Sequence, residues 1–121
     1  MKLLLIEDNH DVSSMIAQYL NLKGYDCMVT DNGKDGLDKI LNEKYDVILM
    51  DLAMPEFSGF DVIASLETAE KLKEQKLIIL SVYALTKEKI KDLENKGVYT
   101  YMKKPIHLNQ LVSAIQSCAK V

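Results

Sequence analysis

Four short apolar runs in this 121-residue chain are each followed by residues that could do chemistry. Leu3–Ile6 runs into Glu7-Asp8, and Val47–Met50 into Asp51. Leu77–Leu80 runs into Ser81, and Val98–Met102 into Lys103-Lys104. Three carboxylates brought close together would repel one another and raise their pKa values. A divalent cation relieves that repulsion, and an all-oxygen donor set selects a hard ion, magnesium before zinc. Magnesium keeps several waters and accepts phosphate oxygens. A carboxylate beside it, with an ammonium and a hydroxyl in reach of an anion, is equipped to receive a phosphoryl group. The ion and the lysine would neutralise charge on the group in transit, so positioning and electrostatics would supply most of the catalysis. Each residue alone has a plainer reading, since an acid after a strand is ordinarily a solvated loop residue or a helix cap. The functional reading rests on the whole set, with its two adjacent acids.

That set requires a scaffold that gathers the ends of the runs. Continuous apolar runs of four or five residues suit strands buried on both faces of a parallel sheet. Tyr25–Thr30 carries Asp26 among apolar residues and reads as an edge strand. Val98–Met102 reads as a less apolar fifth strand. Between them lie helical stripes. Val12, Met15, Ile16, Tyr19 and Leu20 share one face, with Gly24 as the stop. Leu37, Ile40 and Leu41 make a second stripe, and Phe60, Ile63, Ala64 and Leu66 a third. Leu108, Leu111, Val112 and Ile115 make the last. Thr86–Lys96 offers only Ile90 and Leu93 to a core and predicts a loosely held helix. Glu70–Lys76 reads as a solvated helix end and loop. The alternation predicts an α/β fold, a doubly wound five-stranded parallel sheet of order 2-1-3-4-5 with five helices, flavodoxin-like. Ligands of such sheets bind at the carboxyl ends of the strands, near the switch between strands 1 and 3.

Length and composition set the outer limits. Residues 1–121 suit one domain. No apolar run approaches the roughly 20 residues of a membrane helix, and the first residues lack a signal-peptide core. The expectation is a cytoplasmic protein with no membrane partner. Net charge is −3 and all 15 basic residues are lysine, so direct nucleic-acid binding is not expected. Cys27 and Cys118 sit in apolar patterns without metal-ligand spacing and read as buried, reduced thiols. Met15, Met28, Met50 and Met102 fall in core-type patterns. His10 and His107 read as exposed residues at helix starts, with no partner at ligand spacing.

Over essentially its full length the chain resembles the receiver domain of two-component response regulators. The matching pieces are Leu3–Asp8, Asp46–Pro55, Ser58-Gly59, Ser81, Gly97, Tyr101 and Lys104-Pro105. The resemblance implies that Asp51 is the phosphoacceptor, served by a sensor histidine kinase or a phosphotransfer protein. It implies that Glu7, Asp8, Asp51 and the backbone carbonyl of Ala53 hold magnesium, with manganese as the other ion. Lys104 would contact the phosphoryl oxygens, its bond to Pro105 being cis, with Lys103 only a neighbour. Ser81 would hydrogen-bond the phosphoryl group, and Tyr101 would be the switch aromatic. Ala53 and Tyr83 hold the positions that tend to set dephosphorylation rate. The surface of helix 4, strand 5 and helix 5 would meet a downstream protein, a fused output domain or a second copy. The chain departs from the pattern at Val82, where a small residue is usual. Its bulk is expected to crowd the pocket that Tyr101 would turn into.

Other functions fit less well. A magnesium-dependent phosphatase of the haloacid-dehalogenase type wants Asp-x-Asp after strand 1, and this chain has Glu7-Asp8-Asn9. A flavodoxin would need a hydroxyl- and glycine-rich phosphate loop there, where the two acids would repel the phosphate. A pseudo-receiver acting by contact alone would have no use for the intact acidic set, Asp51 and Lys104. The expected role is signalling, with the chain assisting its own phosphorylation and dephosphorylation, rather than that of an enzyme.

Overall fold

The computed structural model describes all 121 residues. Its elements run β1 (Lys2–Ile6), α1 (His10–Leu22), β2 (Asp26–Thr30), α2 (Gly33–Asn42), β3 (Val47–Asp51) and α3 (Gly59–Thr68). A short 3-10 turn (Leu72–Glu74) leads to β4 (Leu77–Ser81), α4 (Lys87–Lys96), β5 (Val98–Lys103) and α5 (Leu108–Ala119). The five strands pair in parallel in the order β2-β1-β3-β4-β5. The expected fold is therefore present, with β2 and β5 as its edges. No helix is long and apolar enough to cross a membrane.

The sheet divides the core into two clusters because successive side chains of a strand point to opposite faces. Leu4, Ile6, Ile48, Met50, Leu77 and Ile79 pack with α2, α3 and α4 on one face. Leu3, Leu5, Val47, Leu49, Ile78 and Leu80 pack with α1 and α5 on the other. All five residues of β3 and of β4 are buried, as a central parallel strand requires. Parallel register then delivers the strand ends together: Ile6 pairs with Met50, Asp51 with Leu80, and Ser81 with Lys103.

Helix starts are capped by side chains that take orphan backbone N–H groups. Asn9 accepts from Val12, Asn32 from Asp35, Thr86 from Lys89, and Ser58 forms a reciprocal capping box with Asp61. α4 is the least anchored helix. Leu93 is its one buried residue and Ile90 is half-buried. Its Lys89 ammonium sits 5.2 Å from the Phe60 ring centroid on α3.

Several core assignments from periodicity need correction. Met15 and Met28 are largely exposed, while Met50 is buried and Met102 packs on the α1–α5 cluster. Leu41, Phe60 and Ala64 also face solvent, and on α3 the buried positions are Val62, Ile63 and Leu66. The buried face of α3 lies one residue off the axis of the Phe60, Ile63 and Ala64 stripe. The stretch 70–76 is not wholly solvated either, because Leu72 turns inward and joins the core.

Candidate functional site

Each acidic residue reaches the carboxyl edge of the sheet by a different local device. Glu7 continues β1, its backbone N–H donating to Thr30 at 3.0 Å, and its side chain is fully buried. Asp8 follows it, half-buried. Asp51 closes β3 and is 4 % exposed. The chain then turns tightly back, so that Gly59 donates its N–H to the Leu52 carbonyl at 2.9 Å. A Cβ at Gly59 would lie 2.6 Å from the Asp51 carbonyl oxygen, so only glycine lets α3 begin this close to the strand end.

Glu7, Asp8 and Asp51 each present a carboxylate oxygen within 4.8 Å of the others. Lys104 enters from the end of β5, its backbone N–H donating to the Ser81 carbonyl at 2.7 Å and its bond to Pro105 cis. Its ammonium ion-pairs with Glu7 and lies 3.3 Å from Asp51 Oδ2. Asp51 Oδ1 accepts the Ala53 N–H at 3.2 Å, and Glu7 Oε2 accepts the Asn9 N–H at 3.3 Å. Burial pushes the Glu7 carboxyl up to about 7. The Lys104 hydrogen bond works against that rise and the Asp51 charge works with it. Burial alone would lower the Lys104 pKa, but the Glu7 hydrogen bond and the two carboxylate charges outweigh it, and the net shift is upward.

One ammonium thus faces three carboxylates in a partly buried pocket. The donors are all oxygen, and the excess negative charge is what a small hard cation would satisfy. Glu7, Asp8 and Asp51 are the side chains able to hold one.

Ser81 is fully buried at the end of β4, and its Oγ accepts the Tyr83 N–H at 3.0 Å. Tyr101, half-buried against the α2–α3–α4 cluster, donates its hydroxyl to the Tyr83 carbonyl at 2.5 Å. Both groups singled out as switch residues therefore hold the same peptide segment. Tyr83 links them, a role invisible in the sequence because backbone atoms make both bonds. The expected crowding by Val82 does not occur. Val82 is 56 % exposed and lines a groove with Val12, Met15, Ile16, Pro105 and Ile106, on the α1–α5 side of the sheet and away from Tyr101. That groove, which also borders Lys104, was not legible as a unit. Its residues come from three separate segments, and only the α1 stripe signalled any of them.

Lys103, His10 and His107 are exposed, and His10 Nε2 lies 3.4 Å from Asp31. Cys27 and Cys118 are buried free thiols, as expected, and burial pushes both up to about 11.

Comparison with known proteins follows the same lines. A family model of the response regulator receiver domain matches residues 3–116. The probable transcriptional regulator ycf29 of Pyropia yezoensis is 31 % identical over 116 residues, covering 96 % of this chain and 52 % of that protein. The cell cycle response regulator CtrA of Brucella ovis is 33 % identical over 120 residues, covering 99 % of this chain and 50 % of that protein. The chain thus spans about half the length of these curated relatives. Among solved structures, the receiver domain of the Francisella response regulator 1452 superposes with a TM-score of 0.88. It is 26 % identical, with 98 % of this chain and 96 % of that one covered.

Proposed function

The chain belongs to the response regulator receiver family, and from that premise we propose that residues 1–121 form one receiver unit whose phosphoacceptor is Asp51. The family generally signals rather than catalyses. Here the donor would be a phosphohistidine on a sensor histidine kinase or a phosphotransfer protein. An Asp51 oxygen attacks phosphorus. The O–P bond forms as the P–N bond to the donor imidazole breaks, and the departing nitrogen takes a proton from water. Glu7, Asp8, Asp51 and the Ala53 carbonyl would hold magnesium, or manganese in its place. When bound, the ion would offset negative charge on the phosphoryl oxygens.

The chain's own residues do the rest. Lys104 faces the same oxygens with an ammonium, and its pairing with Glu7 keeps it aimed at Asp51. Asp51 is held by the Ala53 N–H, which fixes its carboxylate plane before the donor arrives. The observation that carries this reading is that one lysine bridges two buried carboxylates, with a third beside them, at the carboxyl edge of the sheet. The apolar groove bordering Lys104 would suit the donor protein, with its phosphohistidine reaching Asp51 from beside that lysine. Ser81, turning its hydroxyl to the new phosphoryl group, would release Tyr83 and move the loop before α4. Tyr101 would follow, and the α4–β5–α5 face would then engage a downstream protein, a fused output domain or a second copy. A cytoplasmic location fits such partners.

Intact-mass measurement tests the core of this. With acetyl phosphate and magnesium the wild type should gain one phosphoryl group, and Asp51→Asn should gain none while keeping its fold. Equal labelling of the variant, or labelling mapped to another acid, would refute the assignment.

A further inference from the structure

α2 contributes no side chain to the acidic pocket, yet its first residue touches the loop that follows Asp51. A Cβ built on Gly33 would lie 2.2 Å from the Phe57 carbonyl oxygen and 3.1 Å from its carbonyl carbon. Real Cβ atoms do not approach backbone this closely, so α2 and the 53–58 loop meet here at the minimum spacing that glycine permits.

The loop at that contact is held in an uncommon shape. Glu56 has φ +67°, and the Phe57 N–H donates to the Pro55 carbonyl at 2.7 Å. Together these describe a γ-turn of the left-handed kind, which is rare and costly for a residue with a side chain. Such a turn persists only where its surroundings over-determine it. Three supports are visible. On the α3 side, the Ser58–Asp61 capping box and the seat of Gly59 on Asp51 and Leu52 hold one end. Buried Leu52 and Met54 anchor the other. On the α2 side, Gly33 closes against the Phe57 carbonyl.

We propose that Gly33 is a positioning residue. By letting α2 close on the Phe57 carbonyl, it clamps the 53–58 loop and so sets the Ala53 peptide, whose N–H holds Asp51, in the geometry the metal site needs. This rests on the reading of Glu7, Asp8, Asp51 and Ala53 as that site.

Gly36, one turn along the same helix, supplies the control. A Cβ there would meet Ile6 Cδ1 at 2.6 Å and Ile6 Cγ1 and Cγ2 at 3.0 Å, so its nearest neighbours are core side-chain atoms rather than loop backbone. Both Gly33→Ala and Gly36→Ala should lose stability in urea. Only Gly33→Ala should lose magnesium affinity, by about tenfold, the low end of what loosening the support around a metal site costs. Magnesium titration of 15N-labelled protein reads this, since it reports binding and the fold in one spectrum. Gly33→Ala binding within twofold of wild type, or the two variants losing affinity equally, would overturn the proposal. Should Gly33→Ala not fold, the wild type decides, because coupling is reciprocal. Magnesium should then shift the Gly33 and Lys34 amides along with those of 53–58, and unmoved α2 amides would overturn the clamp. A wild type that binds no magnesium at all overturns the site reading and the clamp together. A wild type that binds it and labels on Asp51, beside an unaffected Gly33→Ala, overturns the clamp alone.

Discussion

Tyr101→Phe isolates the connection between the phosphoryl pocket and α4. The change deletes one hydroxyl and leaves the ring against the core, so no cavity opens. What is lost is the 2.5 Å bond to the Tyr83 carbonyl. That carbonyl sits in an exposed loop residue and will find water, so the cost is a net hydrogen bond, about 0.5–1.5 kcal/mol. With RT near 0.59 kcal/mol, that multiplies the population of the released loop roughly 2- to 13-fold. What else resists the release is modest: α4 buries only Leu93, half-buried Leu85 packs the loop on the core, and the other tether is the Ser81 bond to the Tyr83 N–H. The hydroxyl of Ser81 can accept and donate at once, but turning it toward a phosphoryl group gives up the 3.0 Å geometry to Tyr83. The variant should therefore imitate part of the effect of phosphorylation. Amide exchange in the absence of phosphate should quicken at residues 83–90 by that factor and stay unchanged in Leu3–Ile6. Beryllium fluoride with magnesium should add less in the variant than in wild type. Exchange at 83–90 within 1.5-fold of wild type, or a rise shared equally by β1, would refute the tether.

Asp8→Asn should sharply reduce labelling by acetyl phosphate and weaken magnesium binding, and undiminished labelling of wild type in excess chelator would refute the metal requirement. Cys27 and Cys118 should resist iodoacetamide at pH 8 until urea unfolds the chain, because burial holds both thiols protonated up to about 11. An unfolded thiol ionises near 9, so the folded state binds these protons more tightly; their contribution to stability is complete below pH 9 and falls between pH 9 and 11, as urea melts across that range would record. Glu70 has φ +57° at an exposed position after α3, so Glu70→Gly should raise stability by up to about 1 kcal/mol in urea titration. Met15→Lys, at a residue 48 % exposed in the apolar groove, should slow phosphotransfer from a phosphohistidine donor and leave acetyl phosphate labelling unchanged.

The strands were legible because short apolar runs, bounded by polar residues and too short for a helix of three turns, suit a central parallel strand. Four or five apolar residues in a row, ended by a polar one, name both the element and the point where it leaves the core. Leu3–Ile6, Val47–Met50 and Leu77–Leu80 did this, and the residues after them became the pocket. Helix faces were less legible. A 3.6-residue period constrains the direction of a stripe only to within a residue, so it points Phe60, Ala64, Met15 and Leu41 inward where the structure exposes them and buries Val62. Hydrophobicity also cannot tell a core methionine from one that borders a groove.

The link between the two switch hydroxyls stays hidden because backbone atoms make it. Ser81 and Tyr101 were readable as hydroxyls, but their meeting point is the Tyr83 peptide, which has no sequence signature. Bulk alone marks Val82 as obstructive, whereas the strand's alternation turns it away from Tyr101. Ser81 and Tyr83 flank it, and a residue between them leaves the strand on the opposite face, into the α1–α5 groove. The same alternation separates the two faces of the sheet. Residues on the α1–α5 side, Val12, Met15, Val82 and Ile106, line the groove that borders Lys104. Residues on the α4 side, Tyr101 and Leu93, share the cluster under the weakest helix. Ser81 lies at the boundary, the last residue of a fully buried strand, with its backbone carbonyl bound to Lys104 and its hydroxyl to Tyr83. On the proposed switch, a change at the Asp51 pocket would therefore reach the α4 face through this one residue, with no need for the sheet itself to move.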